Sequence, residues 1–125
     1  MSNGGKDRQI ECIIPILNVR NVQASVDFYR DVLGFVQDWM VKTGQTASVS
    51  RDNCSIMLSQ GEQGHSGTSV WIGVEDIEKL YEEFDGSGAT ILQPPTDYPW
   101  AREMRVEDPD GHVLRFGGEP IEGNP

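Results

Sequence analysis

Cysteine is scarce. Only Cys12 and Cys54 occur in 125 residues, and neither belongs to a Cys-x-x-Cys pair. That excludes a zinc knuckle and a thioredoxin-type motif. Both thiols fall in apolar stretches, which predicts small buried side chains in a reducing, cytoplasmic setting. Histidine is equally rare: His65 lies in the glycine-rich stretch 61–67 and His112 follows the terminal turn, and neither has a second histidine at helical i,i+4 spacing. No apolar run approaches the ~20 residues of a membrane-spanning helix. The polar, glycine-rich start, residues 1–9, is not a secretory signal. Positive charge is also short: ten Lys and Arg face twenty Asp and Glu, for a net charge of −10. Such a surface repels nucleic-acid backbones and anionic lipid and suits solubility or a cationic partner.

What the chain does have is a patterned apolar complement, with three Trp, three Tyr and four Phe available for a core. Glu11 to Val19 is rich in β-branched residues and reads as a strand, with Pro15 placing it at an edge or at a junction. Asn21 then suits a helix N-cap, with Val22, Val26, Tyr29 and Leu33 at helical spacing before Gly34. Strands are expected over 35–41, 45–51 and 55–59, with Asp52-Asn53 as a tight turn. After the glycine-rich 61–67 the pattern resumes. A strand over 68–74 precedes an N-cap at Asp76 and a helix carrying Ile77, Leu80, Tyr81 and Phe84, which ends at Gly86 and Gly88. A short strand over 89–92, a proline-rich loop over 93–100, and strands over 101–107 and 112–116 follow, the last two joined by Asp108-Pro-Asp-Gly111.

The halves repeat. Val19-Arg-Asn-Val22 returns as Val74-Glu-Asp-Ile77, an offset of 55, and the last strands correspond at an offset of 58. The reading is an α+β fold of tandem βαβββ repeats forming a curved mixed sheet, with helices outside and a cleft inside. Residues 1–9 are expected to be a flexible leader. Residues 10–117 should form one domain of two modules, 10–60 and 67–117, joined by linker 61–66, with 118–125 as a flexible tail.

Alternation along the strands assigns faces. Val70, Ile72 and Val74 meet the helices, so Ser69, Trp71 and Gly73 turn inward, and the offset adds Ile14, Ile16 and Asn18. Ile56 and Leu58 face the helices, leaving Met57 inside with Ser55 and Ser59; Val113 and Arg115 follow by the second offset. A four-residue turn at 108–111 sets Met104 opposite Arg115 and Arg102 two residues along. A mostly apolar concave surface with a few polar groups is a small-molecule site. Trp39, Tyr98 and Trp100 are further candidate walls for a flat guest.

Ile16-Leu-Asn-Val-Arg-Asn-Val22, Ser25-Val-Asp-Phe-Tyr29, Leu33-Gly-Phe35, Val70-Trp-Ile-Gly-Val-Glu-Asp-Ile77 and Val106-Glu-Asp-Pro-Asp-Gly111 together resemble the vicinal oxygen chelate superfamily. Its members include glyoxalase I, extradiol dioxygenases, and the fosfomycin- and bleomycin-resistance proteins. Pro99-Trp-Ala-Arg-Glu103 and Thr68-Ser-Val-Trp71 are most similar to the bleomycin-resistance branch. In the enzymes the resemblance implies a divalent metal held from four symmetry-related positions, which map here to Ile14, Met57, Ser69 and Arg115. None is a good ligand for such an ion, so neither metal nor other cofactor is expected. The bleomycin-resistance branch implies a homodimer that sequesters cationic glycopeptides in clefts between subunits, without covalent change. Arg102 and Arg115 sit uneasily with a cationic guest: either they pair with Glu103 or Glu107, or the ligand is anionic. A metal-dependent glyoxalase-like lyase or dioxygenase stays open as the alternative.

Overall fold

The computed structural model describes residues 9, 11–61 and 67–120. The rest of the expected leader, linker residues 62–66 with His65, and tail residues 121–125 lie outside the described residues.

Two βαβββ modules follow each other along the chain. The first comprises β1 (Ile16–Asn18), α1 (Val22–Asp31), β2 (Val36–Met40), β3 (Thr46–Arg51) and β4 (Cys54–Ser59). The second comprises β5 (Ser69–Gly73), α2 (Ile77–Ser87), β6 (Thr90–Asp97), β7 (Arg102–Glu107) and β8 (Val113–Gly118). Each builds a four-stranded mixed sheet, in the orders β1-β4-β3-β2 and β5-β8-β7-β6, whose first and last strands are parallel. Among the described residues no ladder joins the two sheets.

The repeat holds at the level of single hydrogen bonds. Val19 N–H donates to the Ser59 carbonyl at 3.0 Å, and Val74 N–H donates to that of Gly117 at 2.8 Å. Both offsets read from the sequence are kept in that pair. The helices start where their caps require. Asn21 Oδ1 accepts from Ala24 N–H at 2.8 Å, and Asp76 Oδ1 from Lys79 N–H at 3.1 Å. Gly88 ends α2 at φ 87°, a left-handed conformation that favours glycine.

One apolar core runs through both modules, with Val22, Val26, Tyr29 and Leu33 from the first helical segment meeting Phe84, Val106, Leu114 and Phe116 from the second half. Polar bonds join the modules beside it. Tyr29 O–H donates to Asp108 Oδ2 at 2.9 Å. Ser87 O–H donates to the Val32 carbonyl at 2.7 Å, and Arg51 forks onto Glu83. Burial, and then the neighbouring Asp108 carboxylate, hold the Tyr29 phenol well above its ordinary value, so it remains a donor. His112 is fully buried at this junction. Its Nδ1 accepts from Thr68 N–H at 3.0 Å and its Nε2 lies 2.7 Å from the Asn18 carbonyl.

Three expectations need correction. Both cysteines are exposed. Cys54 opens β4 beside the hairpin turn, and Cys12 precedes a first strand that is only three residues long. The proline-rich stretch is not a loop throughout: β6 continues to Asp97 through Pro94 and Pro95. As the edge strand of its sheet it tolerates proline, and the register shift between Gln93 and Thr96 absorbs the irregularity. The connection between β7 and β8 takes five residues rather than four, so Glu107 sits opposite Val113 and not opposite His112.

Candidate functional site

That extra residue decides which side chains share a face, because a one-residue slip turns every side chain over. Arg105, not Met104, lies opposite Arg115, and Glu103 lies opposite Gly117. Met104 is buried in the core beside its partner Phe116. Arg102 turns away from Arg115's face and pairs with Glu78 of α2 and with Asp97, the latter at 2.8 Å. Neither lines the inner surface as expected.

On the face of the second sheet away from α2, Glu103 is the centre. Its side chain is fully buried and accepts from three residues. Trp71 Nε1 and Trp100 Nε1 each reach Oε2 at 2.9 Å, while Arg115 Nε and Nη2 reach Oε1 at 3.2 and 3.1 Å. Burial alone would raise this carboxyl's pKa. The indole of Trp100, that of Trp71 and the Arg115 guanidinium outweigh it and hold the group below its ordinary value. Glu103 is therefore a fixed anion that aims two indole edges inward.

The indole faces stay available. Trp71 is 52% exposed and Trp100 is 58% exposed. Trp71 lies against the backbone of Gly117, where any Cβ would strike its ring. Trp100 stacks on Tyr98, with ring centres 4.8 Å apart and planes 13° from parallel. Trp71 and Trp100 together line a cleft of about 310 Å³, with Glu75 and Glu119 on its wall. Ser69 is exposed at the start of β5, two residues from Trp71 on the same face.

The first sheet carries its own open face. Met57 sits beside Ile16, and Trp39, 45% exposed, sits opposite Ser48. An irregularity between Gln37 and Trp39 lets Asp38 accept from the hydroxyls of Ser48 and Ser50 at 3.1 and 2.7 Å. So Ser69, Trp71, Tyr98, Trp100 and Arg115 gather on the second module, while Trp39 and Met57 stand on the first. A larger cleft of about 550 Å³ opens between the modules on the helix side, lined by Phe35, Cys54, Leu80 and Phe84, and contains none of these. Glu103, Arg105 and Gln93 were missed as inward-facing residues. Only the connection length, which His112 sets, would have revealed the first two.

The model of the glyoxalase/bleomycin resistance protein/dioxygenase superfamily matches residues 10–116. The chain belongs to this superfamily. A bleomycin resistance protein of Geobacillus stearothermophilus is 32% identical over 124 residues, covering 82% of this chain and 92% of that protein. A phenazine antibiotic resistance protein of Enterobacter agglomerans is 27% identical over 113 residues, covering 82% and 87%. Among solved structures, the bleomycin-binding protein of Streptomyces verticillus complexed with copper(II)-bleomycin superposes with a TM-score of 0.77 at 29% identity, covering 89% of this chain and 98% of that one.

The metal that the superfamily implies for its enzymes can be tested against the donors present. Ile14 has no lone pair to give, Met57 offers a soft thioether, Ser69 a neutral hydroxyl, and Arg115 a permanent positive charge already tied to Glu103. That donor set does not fit a divalent cation. Among the described residues no three His, Cys, Asp or Glu side chains converge elsewhere. No helix among them is long and apolar enough to cross a membrane.

Proposed function

We propose that this protein sequesters a small-molecule antibiotic by non-covalent binding, in the manner of the bleomycin-resistance proteins. The observation that carries the reading is the pair of indoles locked on buried Glu103 with their faces open around one cleft. A flat heteroaromatic guest stacked on either ring gains about 0.5–1.5 kcal/mol per ring pair beyond area burial. Because Glu103 and Gly117 already hold the indoles, little ordering cost is left for the binding step. Relatives named for bleomycin and phenazine resistance support a planar, antibiotic guest.

The cleft is at the small end of the roughly 300–1,000 Å³ of drug-sized sites. We infer that a second copy of the chain completes it as a homodimer, covering Ile16, Trp39, Trp71 and Trp100, which one chain leaves in water. Two free thiols suit the reducing cytoplasm as its location.

The test is titration with bleomycin, followed by tryptophan fluorescence and calorimetry, with metal content measured on protein purified without chelator. Saturable quenching with bleomycin recovered unchanged is expected. A modified product, or a stoichiometric Ni, Zn, Mn or Fe accompanied by lyase or dioxygenase turnover, would replace this reading with the enzymatic one.

A further inference from the structure

Arg105 and Arg115 stand directly opposite each other on β7 and β8, on the same face as the indoles. Like charges so placed repel unless something neutralises them. Among the described residues, Glu103 is the one carboxylate within ion-pair distance of either. It engages Arg115 at 3.1 Å but Arg105 only at 3.7 Å, and one of its oxygens is already occupied by the two indole N–H groups. Glu107, two residues along on that face, pairs with neither.

A second observation falls at the same place. Arg105 Nε is buried and has no acceptor among the described residues. The same holds for Nε2 of Gln93, which is the register partner of Arg105 on β6. Buried donors without acceptors are rare and require an explanation. Here two lie side by side, next to an under-neutralised guanidinium and beside the Tyr98–Trp100 stack; the Arg105 guanidinium carbon is 5.9 Å from the Tyr98 ring centre.

We infer that the guest is a planar heteroaromatic acid, with its rings against Trp71 and Trp100 and its carboxylate taken by Arg105 with Gln93 as second donor. This rests on the antibiotic-binding reading above and adds the charged group the site selects. A carboxylate conjugated to an aromatic ring lies in the ring plane and presents two oxygens to the guanidinium fork. Glu75 and Glu119 line the indole cleft, whereas Arg105 lies over the Tyr98 ring, so the acid end of the guest points to the Tyr98 side; the rest of the net charge of −10 lies largely beyond the ~8–10 Å screening length and acts weakly.

Phenazine-1-carboxylate and phenazine-1-carboxamide share one ring system and differ in charge, so their affinities for the full chain isolate the acid's contribution. The wild type is expected to bind the acid at least about 10-fold more tightly than the amide. In Arg105→Gln that ratio should fall to within about 2-fold, and in Gln93→Met, which removes one donor at similar volume, by about 3-fold. Equal affinity for the two compounds, or a preference surviving both substitutions, would overturn the inference. A wild type that binds bleomycin but neither phenazine overturns it and leaves the sequestration reading standing. One that binds none of the three overturns both.

Discussion

Replacing Glu103 by Gln keeps the side chain's size and one acceptor oxygen but removes its charge. The wild-type carboxylate is fully buried and accepts from Trp71, Trp100 and Arg115. A hydrogen bond to a charged group contributes about 1.5–3 kcal/mol, and such bonds on one group do not add. The amide retains part of the set, and Arg115, with 32% of its side chain exposed, regains some hydration. The expected net loss is about 2–3 kcal/mol, a large share of the ~5–15 kcal/mol that holds such a domain together. Urea unfolding at pH 7 should show the midpoint falling at an unchanged slope. Arg115→Met should cost about as much alone, because it strands the buried carboxylate, yet less than about 1 kcal/mol once Glu103→Gln is already in place. Acid supplies an internal control. Glu103 titrates below its ordinary value of 4.5, so the unfolded chain takes up its proton first as pH falls. The stability it contributes is complete above that value and is lost as pH drops through the lowered folded one, so the gap between wild type and Glu103→Gln should narrow as pH falls below 4.5. A Glu103→Gln variant within ~1 kcal/mol of wild type at pH 7, or strictly additive losses in the double variant, would refute this account.

Tyr29→Phe should cost about 1–2 kcal/mol by stranding Asp108 Oδ2, whereas Tyr29→Ala should cost about 3–5 kcal/mol by opening the core; thermal melts separate the two. Gly117→Ala places a methyl group in the Trp71 ring, so near-ultraviolet circular dichroism should show the indole displaced and bleomycin affinity should fall, while far-ultraviolet signal stays unchanged. Trp100→Ala should weaken ligand binding by about 1–3 kcal/mol. It should also lower stability by about 1 kcal/mol, since it gives up a bond to Glu103 and the Tyr98 stack; unchanged affinity by calorimetry would assign the residue to scaffolding alone.

The repeat was legible because it is written in positions that packing and capping constrain: the apolar faces of β1 and β5, the caps Asn21 and Asp76, and both offsets. Trp71 and Arg115 were placed on one face because parallel strands of the same module keep that alternation, and they are indeed register partners. The floor of the site was misread at one residue. Asp108-Pro-Asp-Gly111 looks like a four-residue turn, but the His112 backbone N–H donates to Asp108 Oδ1 at 2.9 Å, which keeps His112 in the turn, while its ring serves the Thr68 N–H and the Asn18 carbonyl. The ring's partners are 44 and 94 residues away, so no local pattern announces them. Extending the turn by one residue moves Glu103 and Arg105 inward and sends Arg102 and Met104 out.

Once the register is known, the distribution of carboxylates becomes informative. With twice as many acidic as basic residues, the chain has no shortage of partners for its arginines. It supplies them freely elsewhere: Arg20 has Asp110 at 2.9 Å, Arg30 has Asp27 and Asp31, and Arg51 has Glu83 at 2.7 Å. Arg102, on the outer face of β7, has both Glu78 and Asp97. On the inner face the pairing is sparser: Arg105 and Arg115 divide one carboxylate that is also holding two indoles, and Glu107 on the same face pairs with neither. Random placement on so acidic a surface would favour over-neutralisation there as well. A guanidinium left with a buried, unpartnered N–H on that face is what a site needs to grip an oxygen anion with a side chain.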